Sequence, residues 1–384
     1  MKLVHAAFVP VMFAHWVGWA ISLGYISCLA TVLLLTRLFW GRLVLNKTIV
    51  GILLFSALFL SINMFHMAVG QNAESAYSNL YQYLSLFIVV AIILFSQPWE
   101  MSEILKVARV IFWVAFYSIA LEFLAVNFLG VSKESMPAVR YSPSYFGDFM
   151  GWHRPFGLTG QSSANGGILL LSFLLLAELR VADIKVVLAL LVGAALTISG
   201  QAILATIFIL GLLQLDRVGN LLAKAVLALI LLLSLFLLLD LDLFQKISLD
   251  YLIYVLWEKA YLSETIGVLN GWQLLFGTLG SVAPEGGYGT EVFMIESVRL
   301  FGIVFTVAFW VFIWLLVRRA RIRFIWFVGC ILASIHYPTV FYIEAQLPLA
   351  ILYLSTLNKS RKINVALPVT LNNGMQSDSS HQAT

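Results

Sequence analysis

Apolar runs of about 20 residues, the length that carries an α-helix across a roughly 30 Å hydrocarbon layer, recur along nearly the whole of this chain. A bilayer core offers no water to loose N–H and C=O groups, so runs this long and continuous read as helices. They lie at 3–19, 20–36, 48–67, 80–95 and 104–129, then at 163–179, 184–198, 202–215, 221–239, 291–317, 324–335 and 340–357. The pattern predicts an all-α, polytopic integral membrane protein with about twelve spans. Residues 3–36 form one apolar stretch in which Gly18 and Gly24 are the hints of a break. A single tilted helix there gives eleven spans and moves the N-terminus to the other side.

Composition excludes the soluble alternative. Of 384 residues, 61% are hydrophobic and only 11% charged, with a mean hydropathy of +0.95, outside the soluble globular range. One membrane domain over 1–367 is expected, followed by a short polar tail, 368–384, expected to be disordered and cytoplasmic. Lys and Arg stay on the cytoplasmic side, and the arrangement that places the tail inside puts seventeen of the 23 basic residues there and six outside. The cluster RRARIR at 318–323 anchors the inner side. Two long loops, about 130–162 and 240–290, then face outward.

The N-terminus has no basic segment followed by a small-residue cleavage site, so its first apolar run is expected to remain a span. Cys28 and Cys330 both fall inside predicted helices, so neither a disulfide framework nor a metal cluster is expected. No internal repeat is visible. The net charge of +4 reflects topology rather than a partner, and no nucleic-acid partner is expected.

With the bundle built of Leu, Ile, Val, Phe and Ala, chemistry is confined to polar residues at outer helix ends and loops. The first cluster is the outer loop ending in DFMGWHRPFGLTGQSSANGG, 148–167. It carries Lys133, Glu134, Arg140, Asp148, His153 and Arg154 among aromatic residues. Pro155 and Gly157 shape a turn after Arg154, and Gln161, Ser162, Ser163 and Asn165 open the next helix. A helix start presents free N–H groups and a positive dipole end to an anion, and Arg meets phosphate oxygens with a planar fork. The alternative is an interfacial loop whose Arg snorkels and whose Ser and Asn side chains cap the helix.

The second cluster is Glu291, Glu296 and Arg299 at the start of the span 291–317, after the turn-rich GTLGSVAPEGGYGT. Arg299 lies roughly 12 Å along the helix from Glu291, a depth at which an unpaired central charge costs on the order of 2.5–3.5 kcal/mol. Glu296 shares its face, but such a pair gains only about 0.2–0.5 kcal/mol in an isolated helix. Arg299 must therefore face a polar cavity or another charge. The third cluster is the outer turn SIHYPTVFYIEAQ with His336, Tyr337 and Glu344. A histidine titrating near pH 6.5 can take a proton from a hydroxyl, with Tyr337 or Glu344 orienting it; a structural polar cap is the alternative. Glu122, near the outer end of the span 104–129, is an intramembrane carboxylate and a further functional candidate, although one hydrogen bond to a neighbouring helix would also explain it. His5, His15 and His66 lack metal-ligand spacing. Tyr251, Tyr254, Trp257 and Tyr261 recur at helical spacing, as expected for a helix lying on the outer membrane surface.

These residues, in this order on this topology, resemble the bacterial O-antigen polymerase and O-antigen ligase superfamily, the polymerases being Wzy-type. The resemblance covers roughly 100–357 and rests on HRPFGLTGQSSANGGILLL, ISGQAILATIFILG, LLFGTLGS with GTEVFMIESVRLFG, and the late SIHYP turn. The chain departs from the pattern at Gln201, where many members have an Arg. The resemblance implies an undecaprenyl-diphosphate-linked glycan as substrate, two diphosphate-holding arginines, a histidine base and no metal or other cofactor. Carried over, Arg154 matches the outer-loop arginine, His336 the late histidine and Arg299 the second arginine. His336, Arg154 and Arg299 are therefore the expected catalytic residues. His153, Arg140, Gln161, Asn165, Glu291, Glu296, Tyr337 and Glu344 are expected around the substrate. The implied activity is polymerisation of lipid-linked repeat units into O-antigen or capsular polysaccharide on the outer face of the bacterial inner membrane, alongside a flippase and a chain-length regulator. A ligase acting on lipid A core and a glycan transporter or flippase are the alternatives.

Overall fold

In a computed structural model of the chain, residues 99–136, 151–217, 266–278, 293–337 and 339–365 are described, together with 12, 13, 50, 51, 54, 55, 57, 58 and 61. Among them every regular element is helical: α1 (Met101–Leu129), α2 (Ser162–Glu178), α3 (Ile184–Leu196), α4 (Gly200–Arg217), α5 (Gly271–Phe276), α6 (Phe293–Val317), α7 (Arg323–Ala333) and α8 (Ile343–Val365). Short 3-10 turns occupy Lys133–Ser135 and Thr339–Phe341. The expected spans at 3–19, 20–36, 48–67, 80–95 and 221–239 lie wholly or mostly outside the described residues, as do the aromatic surface helix and the polar tail.

α1 begins where the Glu103 carboxylate accepts the Glu100 N–H at 3.2 Å. It ends at Gly130, whose left-handed φ of 68° turns the chain while Val131 N–H closes on Ala125 O at 3.1 Å; glycine tolerates this conformation best. Its buried stripe, Ile104, Val107, Ala108, Ile111, Phe112, Ala115 and Ile119, repeats every three or four residues and packs on α2. The opposite face is exposed, with Lys106 and Arg109 near its start and then the apolar Val110, Tyr117, Leu121, Leu124 and Phe128. α1 and α6 are long and apolar enough to cross a membrane, whereas α2, α3, α4, α7 and the apolar part of α8 are shorter.

α2 is the central post. It is buried along almost its full length and packs against α1, α3, α4, α7 and α8. α8 is equally enclosed from Ile343 to Thr356. Phe55 stacks on Phe305 and Phe312 of α6, with both centroid distances 5.4 Å. The short central helices are flanked by an irregular segment around 153–160 and by the 3-10 turn Thr339–Phe341, both largely buried. Their backbone polar groups therefore need partners within the protein.

The bundle has two polar ends. At one, the basic turn between α6 and α7 is tied to the C-terminus of α2. Buried Glu178 accepts the N–H groups of Arg321 and Ile322 at 3.0 and 3.1 Å, and Arg321 donates to Ala177 O at 3.1 Å. Glu178 thus holds, from another helix, the two residues that lead into α7, including its N-cap Ile322, whose N–H has no partner within the helix. The other end gathers the loop before α2, the α3–α4 turn, the start of α6 and the α7–α8 corner.

Candidate functional site

The loop 151–161 is fixed from both sides. Asn127 of α1 accepts the His153 N–H at 2.7 Å and donates back to His153 O at 3.2 Å. Glu122, 8% exposed, accepts the N–H groups of Phe156 and Gly157, both at 2.7 Å. Its Oε1 also meets His153 Nε2 at 2.9 Å. From the other side, Asn165 Oδ1 accepts from Leu158 N–H at 3.0 Å, Thr159 N–H at 3.2 Å and the Thr159 hydroxyl at 3.2 Å, while its Nδ2 donates to Phe156 O at 2.5 Å. Gly157, at φ 54°, has no room for a side chain: a Cβ there would stand 2.5 Å from Asn165 Nδ2. His153 and Asn165 are buried, the first bonded to α1 and the second to the loop, whereas Arg154 between these ties is half-buried and Trp152 exposed. Trp152 stacks on Phe123 of α1 at 5.9 Å. Farther back in the same connection, the Ser132 hydroxyl and then Glu134's own N–H hold the exposed Glu134 carboxylate below its usual pKa.

Gln161 is the N-cap position of α2; its carbonyl accepts the Thr159 hydroxyl at 3.2 Å. One residue into the helix, Ser163 meets Ser199 of the α3–α4 turn at 2.9 Å. Gln201 donates to Leu332 O at 2.8 Å, tying the start of α4 to the end of α7.

Arg299 is 7% exposed and engages Glu296 through both Nε, at 2.8 Å, and Nη2. α6 breaks just beyond it, at Gly302, with φ 79° and ψ 168°. A Cβ on Gly302 would lie 2.1 Å from Leu275 O, so α5 seats directly against the break. The Arg299 carbonyl, next to this interruption, accepts both the N–H and the hydroxyl of Thr278, at 2.9 and 3.0 Å.

At the α7–α8 corner, His336 packs edge-on to Tyr337 with centroids 4.3 Å apart, and both are half-buried. Ser334 Oγ accepts the Val340 N–H at 3.2 Å, and Gln346 donates to Phe341 O at 2.6 Å. Glu344 is fully buried in the first turn of α8. Phe293 N–H bonds to Ile335 O at 3.0 Å, joining the start of α6 to the residue beside His336, and α2 packs on the Thr339–Phe341 turn. The segments bearing Arg154, Arg299 and His336 thus belong to one knitted end of the bundle.

Arg140 and Glu291 lie outside the described residues. Two contributors escape the sequence reading of the site, Asn127 and Thr278; at the opposite end of the bundle, Glu178 escapes it too. Asn127 was traceable as a second polar side chain five residues beyond Glu122 on the same helix; nothing in sequence marks Thr278. Among the described residues no three His, Cys, Asp or Glu side chains converge to hold a metal ion. No family model, curated protein or solved structure matches the chain.

Proposed function

We propose that this chain is a multi-pass membrane glycosyltransferase that polymerises undecaprenyl-diphosphate-linked oligosaccharide repeat units into O-antigen or capsular polysaccharide. The carrying observation is the meeting, at one end of an apolar bundle, of a braced arginine loop, a buried arginine and a histidine corner. The apolar outward faces of α1 and α6 suit a lipid environment, and the opposite end, with its arginine turn, suits the cytoplasm. The site then faces the periplasm of the inner membrane.

In this reaction an acceptor sugar hydroxyl gives its proton to His336 and its oxygen attacks the anomeric carbon of the donor. The bond from that carbon to the diphosphate oxygen breaks, and the carrier diphosphate leaves with the electron pair. Arg154 and Arg299 hold the charge that develops on the leaving oxygens, the largest single contribution such sites usually make. Buried Arg299 is suited to this because water does not screen it. No bond in this sequence requires a nucleotide sugar.

The test is genetic. Arg154→Ala and His336→Ala variants made at normal protein level are expected to leave single repeat units on the carrier. Long-chain polysaccharide from either variant overturns the proposal. Polymer accumulating on the carrier would point to the ligase, and untransported single units to a flippase.

A further inference from the structure

Within 153–157 the backbone donors on both sides of Arg154 are spoken for by α1. His153 N–H goes to Asn127, Pro155 has none to give, and the N–H groups of Phe156 and Gly157 both go to the carboxylate of Glu122. The same carboxylate meets the His153 ring. Glu122 therefore grips the residue before Arg154 and the second and third residues after it. We infer that Glu122 is the positioning residue for Arg154: it sets the loop so that the guanidinium is presented to the carrier diphosphate. This deepens the proposed function and rests on the reading of Arg154 as a diphosphate ligand.

The donor set explains why the side chain must be a carboxylate. Oε1 receives Phe156 N–H and His153 Nε2, and Oε2 receives Gly157 N–H. A glutamine offers one accepting oxygen and one NH2 group. With its oxygen in the Oε1 place, its NH2 confronts the Gly157 N–H; reversed, it confronts the Phe156 N–H. Either way one buried donor loses its partner. Aspartate keeps the charge but is one methylene too short to reach all three donors.

A through-space role for Glu122 predicts the opposite sign. A negative charge beside an anion site weakens anion binding, so neutralising it would tighten binding. Loss of position weakens binding instead, because a misplaced charged group forfeits its geometry.

The experiment measures binding of undecaprenyl diphosphate to the purified full chain in lipid nanodiscs, with amide hydrogen exchange over 153–158 in parallel. Arg154→Ala is expected to weaken binding, and Glu122→Gln to weaken it by roughly 10- to 100-fold with faster exchange at Phe156 and Gly157. The double variant should bind no worse than Arg154→Ala alone, since Glu122 acts through that residue. Glu122→Asp, the milder change should Glu122→Gln fail to fold, is expected to give a smaller loss in the same direction. Unchanged or tighter binding in the Glu122 variants, or losses that simply add, overturns this inference while Arg154 still matters. Wild-type binding by Arg154→Ala overturns the diphosphate reading itself, and Glu122's role with it.

Discussion

Asn165 occupies a single position in the first turn of α2, yet it closes four hydrogen bonds of the loop that precedes it. Three reach its oxygen and one leaves its nitrogen. Asn165→Asp preserves the shape but turns a second oxygen toward the Phe156 carbonyl, so it removes a donor and adds repulsion. Leaving a buried polar group unmatched costs about 1–3 kcal/mol. The expected outcome is a clearly lowered midpoint of thermal unfolding in detergent; an unchanged midpoint contradicts the bracing role. Glu296 is the corresponding partner at the second arginine. Glu296→Ala strips a buried guanidinium of both its bonds to that carboxylate, a change that typically costs about 3–5 kcal/mol. Lowered stability together with weaker diphosphate binding is expected, and a variant as stable as the parent would show that other groups satisfy Arg299.

At the scale of elements, the break in α6 organises the second arginine. Gly302→Ala puts a Cβ 2.1 Å from Leu275 O in the existing backbone, which no rotamer change relieves. α5 must therefore separate from α6, and amide exchange over 271–278 is expected to rise well beyond any change elsewhere. Thr278→Val, which removes only the hydroxyl bond to Arg299 O, should cost about 0.5–1.5 kcal/mol. Equal exchange in parent and Gly302→Ala protein would contradict the seating of α5 against the break in α6. This break was not readable from sequence, because a glycine inside the apolar run 291–317 looks the same whether the helix continues or not. The helices themselves were readable: the expected spans at 163–179 and 184–198 fall on α2 and α3 to within two residues, because each is a largely apolar run bounded by polar residues. The corner before α8 was not: the expected span from Val340 gives way to a 3-10 turn, since Val340 N–H is drawn to the Ser334 hydroxyl.

For the whole molecule, the proposed topology sets the two polar ends on opposite sides of a membrane. Trp152→Cys and Arg319→Cys, each in a chain without Cys28 and Cys330, test it. An impermeant maleimide is expected to label position 152 in intact cells and position 319 only after lysis; both labelled from one side contradicts the arrangement. The candidate site was legible in part for a physical reason. Charges in an apolar chain are conspicuous, so Arg154, Arg299 and His336 stand out by type. What each charge binds depends on packing between helices distant in sequence, so the grip of Glu122 on Phe156 and Gly157, more than thirty residues away, could not be read from spacing. The most direct measurement gives the purified protein, in lipid, undecaprenyl-diphosphate-linked repeat units alone. A ladder growing one repeat unit at a time, lost in Arg154→Ala, is predicted; no ladder from the parent protein, or an undiminished one from the variant, contradicts it.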